Sequence, residues 1–535
     1  MPTPYETTTG SWLRPTTFFW AAVGATAGLG NLWQFPYLAG KHGGSLFLLL
    51  YLVCLVLVTL PLMVTEAAIG RHARHGTVLA FAGLVRLSGR SSHWVWVGRI
   101  NVLAAFLVLS FTAVIGAVCL AWIFYGAFGR FSGGGEQAAA SALTGLVADS
   151  DNVRMFMAWH GFFLLLVVGV SMQGVVGGLE RVLRALVPTT LLLMLGLLVV
   201  SSLSGDLLAA SQKLLGARPE DLSWASLWDA LFHAFYTLAL GMGVWVVFGA
   251  YSHRDTRLKR SVLAVVLTDT LMSVVAGLML YGFVGDSIDG LAEHGFRLLF
   301  VTLPAGLSGW PLSQLLTAVV FLVVLILVWT TSLAWMEPVV GWFREWTGAP
   351  RPLSAFLVGG AAWLMGLGSL LSFNLWSSHT LFGGTFFRWL ELVTSGLLIP
   401  LASFCLAVFA GWCLTRSLSM RILGKAPGSF RVVWLWVTRI VLPVVILVIA
   451  VQYTRGALEQ MCGPLESPPV WCDKKQPSAR PAGKPERPAP PVSDGARPRH
   501  KEEPGPSEAG GAPAVRNDPE APEGQKDSDI IYDSV

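Results

Sequence analysis

Glycine interrupts two long apolar runs of this sequence, at Gly24, Gly28 and Gly30 and again at Gly241 and Gly243. Chemistry is most readily done at such interruptions. A helix that stops in an apolar medium leaves carbonyls unpaired at one end and amide N–H groups unpaired at the other. The carbonyls suit a cation and the N–H groups an anion. Hydrocarbon tolerates unwound backbone only around a cavity or a bound species. Interrupted helices at matching places in two halves of a chain therefore point to a transport site at the bilayer midplane. Close packing of helices through glycine is the competing explanation. Other chemistries lack their residues: the sequence shows no metal-ligand cluster, nucleophile motif or phosphate loop. Gly28-Leu29-Gly30 follows no strand, as a dinucleotide fingerprint would require. Neither an enzyme nor a nucleic-acid partner is expected.

The elements around these interruptions must be membrane helices. The chain has 535 residues, of which 54% are hydrophobic and 13% charged, and its mean hydropathy is +0.61. A soluble domain cannot hide that much apolar surface, whereas a bilayer solvates it. Apolar runs long enough to cross a hydrocarbon core about 30 Å thick recur at roughly 15–40, 43–69, 97–128, 156–173, 179–203, 226–250, 260–284, 312–343, 353–373, 385–415 and 432–452. The expected class is an all-α polytopic membrane protein with about eleven spans over 12–452. Residues 1–11 form a short N-terminal segment. Residues 463–535, dense in Pro, Gly and charge, form a disordered tail. Arginine and lysine crowd alternate loops, from Arg71 and Arg74 to Arg416 and Arg421, which places the N-terminus in the cytoplasm. With eleven spans the tail is extracytoplasmic. No cleavable signal precedes the first span. Cys54, Cys119, Cys405 and Cys413 lie in spans, and Cys462 and Cys472 flank a Pro-rich stretch where either a disulfide or two free thiols is open.

The stretch Gly24-Ala-Thr-Ala-Gly-Leu-Gly-Asn-Leu-Trp-Gln-Phe-Pro-Tyr37 resembles the signature of the neurotransmitter:sodium symporter family. The resemblance continues in His42-Gly43-Gly44, Pro61-Leu-Met, Glu66 ahead of Gly70-Arg71, and Gly178 with Pro188. It recurs in Phe235-Tyr-Thr-Leu-Ala-Leu-Gly-Met-Gly243, Phe300-Val-Thr-Leu-Pro304 and Trp329-Thr-Thr-Ser-Leu-Ala-Trp-Met-Glu-Pro338. It implies two inverted five-helix repeats, helices 1–5 and 6–10, with helices 1 and 6 broken and helix 11 peripheral. It also implies alternating access in a cell (inner) membrane and Na⁺-driven uptake of a small organic solute, an amino acid or related compound by default.

By the same resemblance one sodium site, Na2, falls on Gly24, Ala27, Leu327, Thr330 and Thr331. Adjacent Thr hydroxyls and carbonyls give a hard cation oxygen ligands, although such hydroxyls also bond back to their own helix. The other, Na1, falls on Thr26, Asn31, Thr237 and Asp269. The family usually has Asn where Asp269 stands, and a carboxylate within a span normally has a partner or a function. Asp269 could ligate Na⁺, supply the charge that chloride supplies elsewhere, or carry a proton. The chloride-equivalent region is Tyr51, His233, Thr237 and Ser273. Asp269 in that neighbourhood leads us to expect that chloride is not required, with His233 protonated, hydrogen-bonded to Asp269 or simply packed. The implied substrate pocket takes Ala25, Thr26, Leu29 and Gly30 from helix 1, and Thr112 and Gly116 from helix 3. It also takes Tyr236, Thr237, Ala239 and Met242 from helix 6, and Thr331 and Trp335 from helix 8. Gly116 stands where amino-acid carriers have a Tyr that binds the substrate carboxylate. Its loss opens volume that Trp335 could refill, and Tyr236 could restore a hydroxyl.

The gates depart from the family too. Gln34 replaces the usual Arg opposite the helix-10 acid, Glu391, so only a hydrogen bond can join them, and Arg388 is expected to pair locally with Glu391. Trp12 and Arg14 resemble the inner latch, with Glu345 as its acidic partner. These departures leave a transport-inactive sensor or scaffold on the same fold as the alternative to a carrier.

Overall fold

The computed structural model describes residues 10–461 apart from 254, 286–294 and 425–427. The expected tail over 463–535, Cys462 and Cys472 lie outside the described residues, as does most of the N-terminal segment. The first crossing is split into α1 (Thr17–Thr26) and α2 (Phe35–Lys41), the latter entered through a wide turn at Gly30–Gln34. Then follow α3 (Ser45–Ala73), α4 (Thr77–Ser88), α5 (Ser92–Ala127), α6 (Gly135–Val147), α7 (Ser150–Met172), α8 (Val175–Leu203) and α9 (Leu207–Leu215). The second split crossing is α10 (Trp224–Tyr236) and α11 (Val244–Tyr251). The chain continues through α12 (Leu258–Val284), α13 (Leu298–Leu307), α14 (Ser313–Thr347), α15 (Arg351–Ser372), α16 (Phe386–Cys413), α17 (Arg416–Leu423) and α18 (Arg431–Gln460). Among the described residues nine helices are long and apolar enough to cross a membrane. The two split crossings fall five crossings apart, as two five-helix repeats with broken first helices require. Side chains such as Leu165, Leu192 and Leu364 are 62%, 69% and 65% exposed, an outward apolar face that lipid rather than water must cover.

Each break has a local cause. At the end of α1 the backbone of Ala27 turns extended (φ −68°, ψ 96°) after its N–H closes on the Val23 carbonyl. Pro36 sits in the first turn of α2, where its missing N–H costs nothing. In the second break α10 cannot continue because Ala239, Gly241 and Gly243 take φ of 50°, 69° and 73°. A non-glycine residue in that region is strained by roughly 1–3 kcal/mol and such strain collects at functional sites. Gly241 is doubly constrained, since a Cβ there would stand 2.5 Å from Ser403 Oγ and 2.6 Å from the Ile399 carbonyl. Around the breaks stands a frame whose largest contact is α5 against α14.

Candidate ion and substrate site at the helix breaks

Beyond Thr26 there is no helical N–H for the carbonyls of Gly24, Ala25 and Thr26. The Gly28 N–H, which would have closed on Gly24, donates instead to Asn31 Oδ1 at 3.0 Å. Asn31 Nδ2 in turn donates to Ser273 Oγ (2.9 Å) and to the Asp269 carbonyl (3.3 Å) on α12. One amide side chain therefore holds the break open and ties it to α12. The opposing break is held by Glu66 of α3, whose Oε1 accepts the Gly241 N–H at 3.0 Å. Trp245 adds a bond from its indole N–H to the Leu238 carbonyl at 2.7 Å.

Around the first break, buried oxygens collect without partners. Both carboxylate oxygens of Asp269, the Thr237 hydroxyl and the Tyr51 hydroxyl lack a partner at normal hydrogen-bond geometry among the described residues, with only longer approaches of Asn31 and Thr26 to Asp269 and of Thr237 and Thr270 to Tyr51. Asp269 is 0% exposed, and the side chains of Asn31 and Thr26 face it. Unpartnered buried oxygens are costly, and a set that includes a carboxylate matches what a hard cation needs. His233 does not bond to Asp269, as one reading of the sequence had it. Its Nδ1 lies 3.3 Å from Gln34 Oε1, and its ring packs between Phe35 and Tyr51 at 5.7 and 5.2 Å. At the second group of positions α1 and α14 approach closely, a Cβ on Gly24 lying 3.3 Å from the Thr330 Cβ. There the hydroxyls of Thr330 and Thr331 both bond back to the Leu327 carbonyl, at 3.1 and 3.0 Å.

The implied pocket positions are buried or nearly so. Ala25, Thr26, Thr112, Ala239, Met242 and Thr331 are buried, and Leu29, Gly30, Tyr236 and Trp335 are half-buried. The structure corrects two expectations here. The space beside Gly116 is taken by Phe163 of α7, whose ring stands 2.6 Å from where a Cβ would be; Trp335 is not the filler. The Tyr236 hydroxyl is not free for a substrate, because it donates to the Ser395 carbonyl of α16 at 2.7 Å.

The gates are also wired differently from expectation. Gln34 turns to His233 and away from Glu391. Glu391 accepts from the Tyr453 hydroxyl of α18 at 2.8 Å. Arg388 donates to Gln460 at 2.9 Å and makes no direct ion pair with Glu391 among the described residues, its charge reaching that carboxylate only at longer range. On the opposite side Trp12 is 1% exposed, packed on Phe18, Phe248 and Tyr251. Arg14 is exposed and makes no pair with Glu345, which caps α4 through the Gly76 N–H at 2.7 Å. The anchor is Glu180 of α8, accepting the Leu13 N–H (2.8 Å) and the Thr17 hydroxyl (2.7 Å). Beneath it lies a buried group that sequence reasoning missed: Arg351 pairs with Glu337, and the Tyr251 hydroxyl donates to the same carboxylate at 2.9 Å. Glu180 had a signal in its place between Gly178 and Pro188, and Glu337 in its place before Pro338. Tyr453 and Phe163 had none.

Comparison with known proteins places this arrangement. The model of the Sodium:neurotransmitter symporter family matches residues 9–133 and 142–471, and the chain belongs to that family. It is similar to an uncharacterized sodium-dependent transporter, YhdH, of Bacillus subtilis, with 29% identity over 82% of this chain and 96% of the relative. A sodium- and chloride-dependent neutral and basic amino acid transporter, B(0+), of Mus musculus is 25% identical over 63% of this chain and 62% of its own length. Among solved structures, that of MhsT in complex with L-phenylalanine superposes with a TM-score of 0.72 at 27% identity, covering 83% of this chain and 99% of that one. The protein is thus a multi-pass membrane protein of a sodium-dependent transporter family with the inverted-repeat fold; it is a transporter, not an enzyme.

Proposed function

We propose that this protein imports a small organic solute, an amino acid or a related compound, by sodium-coupled symport with alternating access. Its N-terminus is cytoplasmic and its membrane the cell (inner) membrane. The observation that carries the reading is the set of buried, unpartnered oxygens of Asp269, Thr237 and Tyr51 beside the opened end of α1. One Na⁺ binds there, using Asn31, Thr237, Asp269 and the Thr26 carbonyl. A second binds between α1 and α14, where the hydroxyls of Thr330 and Thr331 give up their bonds to the Leu327 carbonyl and turn to the ion with the Gly24 and Ala27 carbonyls. Asp269 brings its own negative charge, so chloride is dispensable. Na⁺ bound at the break orders the unwound segments and so favours the solute, and by linkage the solute favours Na⁺ to the same degree.

Two neighbours support the solute class, since MhsT was solved with L-phenylalanine and the B(0+) relative is named for neutral and basic amino acids. The filled space at Gly116 means that a substrate carboxylate finds no tyrosine hydroxyl there and must be held by the N–H groups of the break. The test is purified protein in liposomes under an imposed inward Na⁺ gradient. A panel of amino acids is screened first by thermal shift with and without Na⁺. Gradient-driven accumulation of a hit that collapses when K⁺ replaces Na⁺ is expected. Saturable binding with no accumulation of any hit would refute symport.

A further inference from the structure

The buried carboxylate of the outer side has a partner on a helix outside the two repeats. Glu391 is half-buried, and a carboxylate at membrane depth needs compensation. Gln34 carries no charge and faces His233, and Arg388 is engaged with Gln460. Its direct partner is the Tyr453 hydroxyl at 2.8 Å, a charge-assisted bond stronger than one between neutral groups, with the Arg388 charge acting only from a distance.

The same stretch of α16 is a wide turn, Leu392–Leu398. Such turns break the regular ladder and recur at functional sites. This one is gripped from both sides. From the pocket side, Tyr236 of α10 donates to the Ser395 carbonyl at 2.7 Å. From the far side, Thr454 of α18 reaches the Gly396 carbonyl at 3.4 Å, one residue further on. The rings of Tyr236 and Tyr453 meet at 5.5 Å. Tyr236 ends α10 directly before Thr237, whose hydroxyl is one of the unpartnered oxygens of the site.

We propose that Tyr453 is a positioning residue of the outer gate: by holding Glu391 it sets the wide turn of α16 against Tyr236, so the last helix takes part in closing the site. The proposal rests on the transport reading for its meaning, but its contacts can be tested separately. Separation of α10 from α16 breaks the bond of Tyr236 to Ser395 and opens the path to Thr237. Loss of the Tyr453 hydroxyl frees the turn to move and biases the protein toward the open form.

The test uses full-length protein in liposomes with the native cysteines replaced and Leu29→Cys introduced at the first break as a reporter. A membrane-impermeant maleimide is added from outside, in Na⁺ and in K⁺ medium. Tyr453→Phe, which keeps the ring, is expected to speed labelling about tenfold. Glu391→Leu should do the same, the double variant should be no faster than either single, and Glu391→Gln, which keeps an acceptor for Tyr453, should lie nearer the parent. Labelling of Tyr453→Phe within twofold of the parent, or a double variant equal to the product of the singles, would overturn the proposal. Failure of the symport reading shows separately, as parent labelling that does not differ between Na⁺ and K⁺.

Discussion

Replacing Asp269 by Asn changes the site in two opposite directions, and the pair of signs is the test. Asp269 is fully buried, and neither carboxylate oxygen has a partner at normal hydrogen-bond geometry among the described residues, Asn31 and Thr26 approaching it only at longer range. Without Na⁺ this is a destabilising group, because an unsatisfied buried polar atom costs about 1–3 kcal/mol and a charged one more. Asn has nearly the same shape, keeps one acceptor and carries no charge. Sodium-free protein with Asp269→Asn is therefore expected to be more stable than the parent by about 1–2 kcal/mol, a shift of a few degrees in melting temperature.

With Na⁺ the sign reverses. An ion and a carboxylate about 4 Å apart attract by about 4 kcal/mol at the effective dielectric suited to protein sites. Asn retains part of this through its amide oxygen, and the desolvation of the ion is common to both proteins. A net loss of about 1.5–3 kcal/mol is left, a tenfold to hundredfold rise in the Na⁺ concentration for half-saturation. If the carboxylate stands in for a mobile anion, chloride should recover part of that loss in the variant and do nothing in the parent. The assay is melting temperature against Na⁺ concentration, in chloride and in gluconate, followed by uptake in the same media. A variant that is no more stable without Na⁺ and has an unchanged Na⁺ midpoint would show that Asp269 neither stands unpaired nor binds the ion. A parent stimulated by chloride would remove its role as anion substitute.

Three further outcomes follow from contacts elsewhere. Gly116→Ala drives a methyl group to 2.6 Å from the Phe163 ring and should cost about 1–3 kcal/mol; a melting temperature equal to the parent's would show that Phe163 moves freely. Arg351→Met leaves the Glu337 carboxylate, 0% exposed, with only Tyr251 and Ser171 as donors, and should cost about 3–5 kcal/mol, much of it recovered by adding Glu337→Leu; additive losses would refute the pairing. Glu180→Ala removes the acceptor of the Leu13 N–H and the Thr17 hydroxyl and should cost about 1–3 kcal/mol, read as a lower melting temperature; a parent-like value would show that the Trp12 N–H bond to the Tyr251 carbonyl and aromatic packing hold the segment alone.

How far the sequence reached depends on how local each cause is. The helices were legible because the bilayer fixes their length, and the second break because Gly241 and Gly243 take positive φ; the first was legible from its motif, since none of Gly24, Gly28 and Gly30 takes positive φ. The fold and the family followed from motifs carried within single helices. Contacts between distant segments were less legible. Gly116 announces a missing side chain, but only packing shows that Phe163, 47 positions along the chain, takes its place. Arg14 and Glu345 have the right types for a latch and the wrong geometry, since Glu345 is committed to the Gly76 N–H and Glu180 is nearer the chain that must be held. Charge alone gave no way to choose between the two acids.

The altered positions also have to be read as sets. Where Gln34 lacks an arginine's charge, His233 has become its neighbour; where Glu391 lacks that arginine, Tyr453 supplies a donor; where Gly116 lacks a ring, Phe163 supplies one. In each case the replacement comes from a different helix. Restoring one residue alone therefore does not restore the relatives' arrangement. Gln34→Arg would meet His233 before it could reach Glu391, whose hydrogen bond is already made. Only joint substitution of both members of a pair isolates the term that joins them, and a gain of outer-gate strength should appear in Gln34→Arg only when His233 and Tyr453 are also replaced, by Gln and Phe.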